Sequence, residues 1–94
     1  NMNKKKLNKA RKKIDQIDKK ILNLIKKRTH IVNYMLTLKI YKKQIIDHKR
    51  IAKILKKIKI LSAKKGVDPK ITSKIWNSMI WSYVDYQKRN FKKK

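Results

Sequence analysis

The sequence predicts an all-α protein of three helices, long, short and long, assembled as an intertwined homodimer. Two observations predict the helices. Apolar residues recur at three- and four-residue steps over most of the chain, and the 94 residues hold one Gly and one Pro, far too few for a many-turned β fold. A third predicts the dimer. A chain this short, read as one domain over residues 1–94, builds only a thin core from one copy.

The first helix is expected from about Lys5 to Lys39 or Ile40, with no Gly or Pro to stop it. Ile14, Ile17, Ile21 and Leu24 share one face, the next step lands on Arg28, and the stripe resumes at Ile31 and Met35. Such a helix is about 50 Å long and overruns a globule whose radius of gyration is about 12 Å, so a second copy running antiparallel is the expected cover. The stretch "IYKKQII" (40–46) reads as a connection, after which Asp47 is a good N-cap for a second helix carrying Ile51, Ile54, Leu55, Ile58 and Leu61. It should stop near Lys65, where Gly66 can adopt the left-handed conformation. Asp68 before Pro69 is an N-cap with proline at the first helical position, opening a third helix to about Phe91. Its stripe includes Ile71, Ile75, Met79, Ile80 and Tyr83 and reaches Gln87, and the "FKKK" tail is expected to fray.

Composition narrows the chemistry. There is no Cys, which excludes disulfides and thiol catalysis, and His30 and His48 alone make a poor metal site and are expected at the surface, so no metal or cofactor is expected. No apolar run reaches the length of a membrane span and no signal-peptide pattern opens the chain, so a cytoplasmic protein is expected. The formal charge is +25, from 30 Lys and Arg against 5 acidic residues, all of them Asp. Lys, Ile, Asn and Tyr all have codons rich in A and T, so a codon bias that raises them together is the reading preferred for that charge over a surface selected for an anionic partner. Nucleic-acid binding is the weaker reading, because lysines are spread over every helix, no groove-reading motif is present, and Trp76 and Trp81 lie on a helix dominated by core spacing. A membrane-surface role competes with a bundle for the same apolar stripes.

Four polar residues sit on or beside apolar faces: Arg11, Arg28, Lys39 and Gln87. Arg28 and Lys39 are three turns apart on one side of the expected helix, about 16 Å between Cα atoms, a span that two long side chains can close on a small anion. Arg11 lies about 25 Å before Arg28 and reaches the same ligand only from an antiparallel partner. Buried cations need neutralising, by Asp18 or Asp85 or by a compact dianionic ligand walled by Val32, Met35, Ile51, Met79 and Tyr83; the competing reading, preferred for Arg11 taken alone, is a side chain that snorkels to solvent and covers apolar surface with its stem.

These residues resemble the all-helical class of chorismate mutases, small intertwined dimers. The resemblance spans Leu7 to Gln87 and is carried by "RKKIDQIDKKILNLIKKR", by Lys39, by "DHKR" and by "YVDYQ". It implies that Arg11 from the partner, with Arg28 and Arg50, holds the two carboxylates of chorismate. It also implies that Lys39 and Gln87 donate to the ether oxygen, with Arg28, Lys39 and Gln87 as the catalytic set, and that Asp47 assists at the ring hydroxyl. The implied reaction is the rearrangement of chorismate to prephenate in aromatic amino acid biosynthesis, with no cofactor. Two features depart from the mutase pattern. Ile51 fills a substrate-binding slot where a Glu is usual, and "MIWSYVDYQ", with Tyr83 beside the site, is more similar to the related isochorismate pyruvate lyases, which form salicylate.

Overall fold

The computed structural model describes residues 1–93; Lys94, at the end of the tail expected to fray, lies outside the described residues. Three helices and one short 3-10 turn make up the described residues, with no strand: α1 (Met2–Thr37), the 3-10 helix Lys42–Ile45, α2 (His48–Lys64) and α3 (Pro69–Asn90). The chain forms two compact units, Asn1–Tyr34 and the segment from Met35 onward.

The first unit is a stretch of helix alone. Asn1 starts it, its side-chain oxygen accepting the Lys4 N–H at 2.8 Å, which brings the start forward from the expected Lys5. Its apolar face is uncovered in the single chain, with Ile14 56% exposed, Ile17 50%, Ile21 48% and Leu24 62%.

In the second unit, α1 ends at Thr37, two to three residues before the expected stop. The cause is Gln44. The Ile40 and Tyr41 N–H groups would extend the helix by donating to carbonyls four residues back, but they donate instead to Gln44 Oε1, at 2.8 and 2.7 Å. The Leu38 and Lys39 N–H groups close the last turn with bonds to Met35 and Leu36, three residues back, which tightens it before release. Lys39 is thereby taken off the helix and into the connection.

The remaining boundaries follow local chemistry. Asp47 Oδ1 accepts the Arg50 N–H at 3.0 Å and caps α2. Gly66 follows the C-cap Lys65 with φ at 71°, while the Val67 N–H reaches back to the Ser62 carbonyl at 2.9 Å. Asp68 caps α3 by accepting from the Lys70 N–H at 2.9 Å, with Pro69 in the first turn. α2 packs along α3, and the pair is clasped by hydroxyls: Ser62 donates its one proton to the Ile58 carbonyl at 2.6 Å, so Thr72 donates to Ser62 Oγ at 2.7 Å.

The core of this unit is small. Leu36, Ile45 and Val84 are buried together, joined by the half-buried Ile46 and Phe91. Phe91 therefore corrects the expectation of a frayed tail: its apolar ring is tied to the core, while Lys92 and Lys93 stay exposed. His30 and His48 are exposed, as expected.

Because Gln44 supplies the acceptor for two backbone donors, Gln44→Ala is expected to cost about 1 kcal/mol, water replacing part of the loss at this exposed position. Urea unfolding measures it, and a loss no larger than that of the exposed control Lys43→Ala would contradict the role assigned to this side chain.

Candidate active site

The core sets the site's geometry. Lys39 follows the buried Leu36 by three residues and Gln87 follows the buried Val84 by three, so the contact that buries Leu36 with Val84 also brings the two polar side chains together. Lys39 Nζ donates to Gln87 Oε1 at 2.7 Å. An ammonium can only donate, so it fixes the amide with its oxygen toward Lys39. The amide nitrogen donates one N–H to the Tyr83 carbonyl at 3.2 Å. One amide N–H and two ammonium N–H groups remain beyond these bonds, on two side chains held together.

Electrostatics sharpen the arrangement. Gln87 is buried at 8% exposure and Lys39 is half-buried. Burial strips water from the ammonium and pulls the Lys39 pKa below the ordinary lysine value, with the Asp47 carboxylate pushing weakly the other way. Because the folded-state value lies below the unfolded one, the charged ammonium costs folding free energy until pH rises through the folded-state value, and the cost fades toward the ordinary lysine range. An incoming anion reverses the shift by restoring what burial removed.

The other sequence-derived candidates are placed as follows. Asp47 is exposed, with Oδ1 spent on capping α2, and Arg50 is exposed in the first turn of that helix. Ile51, next in that turn, is half-buried and offers no acceptor. Tyr83 is half-buried on α3, its ring edge-on to Tyr86 at 6.3 Å between centroids. Asp85, a candidate partner for the buried cations, is instead paired with Arg89 at 2.9 Å, an exposed ion pair one turn along its own helix. Arg11 and Arg28 belong to the first unit. Arg11 is exposed, whereas Arg28 and Thr29 are the first residues of α1 that are not. Their seventeen-residue separation puts about 25 Å of helix between the two arginines, so one chain does not bring them to one ligand.

Sequence reasoning missed Gln44, which holds the segment carrying Lys39. The available signal was a lone amide side chain in a connection that has no Gly or Pro to turn it. Among the described residues no group of three or more His or Asp comes together to hold a metal ion, and no helix is long and apolar enough to cross a membrane.

The family model described as chorismate mutase type II matches residues 10–88. Comparison with curated proteins finds no significant match, and comparison with solved structures finds none.

A desolvated ammonium predicts an outlier among the lysines. In a pH titration of lysine Cε and Nζ resonances by NMR, one signal should titrate below the rest and disappear in Lys39→Gln. Titration of every lysine together would contradict the burial of this amine.

Proposed function

The chain belongs to the chorismate mutase type II family, and on that premise we propose that it rearranges chorismate to prephenate in the cytoplasm, as a homodimer. The observation that carries this reading is the Lys39–Gln87 contact at 2.7 Å, two side chains from different elements converging beside the core with donor capacity left over. In the rearrangement a C–O bond breaks as a C–C bond forms, within one molecule. No nucleophile or proton transfer is required. The protein's task is to hold the folded substrate and to meet the negative charge that grows on the ether oxygen. Lys39 and Gln87 supply that meeting, because their remaining N–H groups are preorganised and need no reorientation as charge develops.

Three arginines complete the proposed site: Arg28, Arg50 and, from the second copy, Arg11. Bidentate guanidinium contacts suit the two carboxylates of the substrate. The uncovered stripe of α1, with Ile14, Ile17, Ile21, Leu24 and Ile31 each about half exposed or more, supports the second copy. An antiparallel helix buries it and carries Arg11 toward the Arg28 of its neighbour.

A second reading has its own observation. Ile51, half-buried after Arg50, removes a carboxylate acceptor for the substrate hydroxyl, and the chain has no Glu to replace it. Together with Tyr83 this favours the isochorismate pyruvate lyase reaction on the same scaffold. Assaying both substrates decides: loss of chorismate absorbance supports the mutase, and appearance of salicylate fluorescence supports the lyase. Turnover of neither would overturn the enzyme reading.

Lys39→Ala is expected to lower kcat by about a hundredfold or more with helicity retained in circular dichroism. Arg11→Ala and Arg28→Ala chains, each inactive alone, should on equal mixing recover about a quarter of the wild-type sites, since half the dimers are mixed and each has one intact site. No recovery would sink the shared site.

A further inference from the structure

We propose that one face of the α2–α3 hairpin binds single-stranded nucleic acid, with Trp81 as a base-stacking platform beside a lysine-lined groove. The proposal is independent of the enzymatic reading. None of the residues it uses belongs to the site above.

Two grooves meet at Asn77 on α3. One, of about 560 Å³, lies between α2 and α3 and is lined by Leu55, Lys56, Lys59, Ser73, Lys74 and Asn77. The other, of about 540 Å³, is an open surface of α3 alone, lined by Asn77, Ser78, Trp81, Ser82, Asp85 and Arg89. Trp81 is 41% exposed. Trp76, about 100° around the helix from Asn77 and about 140° from Trp81, is half-buried. The strip therefore joins a large exposed aromatic surface to a row of ammonium groups.

Charge selects the ligand class. The single carboxylate in either groove is Asp85, and Arg89 neutralises it. A codon bias would raise the number of lysines everywhere, but it would not select three of them to line a groove that shares Asn77 with an exposed indole. An anionic backbone with planar bases uses both features: phosphates along Lys56, Lys59 and Lys74, a base on Trp81, and hydroxyl and amide hydrogen bonds from Ser78, Ser82 and Asn77. A bare polyanion uses only the lysines. A duplex hides the planar faces that Trp81 would stack on.

The test is binding of a fluorescent oligothymidylate of about twelve nucleotides to the full chain, by anisotropy and tryptophan quenching, from about 50 to about 200 mM salt. Trp81→Ala should weaken binding about tenfold and abolish most of the quenching while leaving the salt slope unchanged. Trp81→Leu, which keeps apolar bulk and removes the stacking face, should do the same and guards against loss of fold. Changing Lys56, Lys59 and Lys74 together to Gln should reduce the slope of log K against log salt by about two. Three outcomes would overturn the proposal. These are equal affinity of the two Trp81 variants and wild type, inorganic polyphosphate competing as well as the oligonucleotide at equal charge, and anionic phospholipid vesicles binding through Trp81 in preference to it.

Discussion

The site depends on a lysine being given a neutral partner. Had a carboxylate stood where Gln87 stands, the ammonium would form a closed ion pair, and most of its attraction for an incoming anion would be spent. The amide oxygen satisfies one N–H of Lys39 at 2.7 Å and leaves its charge intact. Burial lowers the affinity of that amine for its proton, and the opposing influence is Asp47, whose Oδ1 is already engaged in capping α2. The ammonium is thus held in place, partly desolvated and not neutralised. A site prepared in this way has its strongest interaction with negative charge that arrives or develops inside it.

The scarcity of carboxylates gives the same condition across the chain. Asp47 and Asp68 cap helices, Asp85 is paired with Arg89, and only Asp15 and Asp18 remain, in a chain with 30 Lys and Arg. Internal neutralisation of the basic residues is therefore impossible by count. Surface lysines tolerate this because water and salt screen them. Lys39 cannot, being half-buried, and for that reason a single amide contact carries so much of the geometry.

Local signals were legible in the sequence and tertiary ones were not. The N-caps at Asp47 and Asp68, the proline at position 69 and the left-handed Gly66 each act through neighbours two or three residues away, so residue type and spacing suffice to place them. The end of α1 was misplaced by two to three residues because it is set by Gln44, a side chain across a turn with no propensity signature. Phe91 looked like part of a lysine tail because its partners, Leu36, Ile45 and Val84, are distant in sequence. For the site, Lys39 and Gln87 were identifiable as polar interruptions of apolar stripes, whereas their mutual contact required the packing of Leu36 against Val84.

The first unit extends the same logic beyond one chain. Its isoleucines share a face and lie open to solvent, a condition that apolar surface of this extent does not keep in water when a cover exists. Arg11 precedes Ile14 by three residues and therefore sits beside that face. In the proposed dimer the helix that covers Ile14 also takes water away from Arg11, putting its guanidinium in the state Lys39 already occupies within one chain. A cation so placed needs an anion, and no carboxylate beyond Asp15 and Asp18 lies along this stretch to provide one. In that proposal hydrophobic assembly and anion binding are coupled: closing the dimer would create the demand for negative charge, and a dicarboxylate that met it would hold the dimer closed.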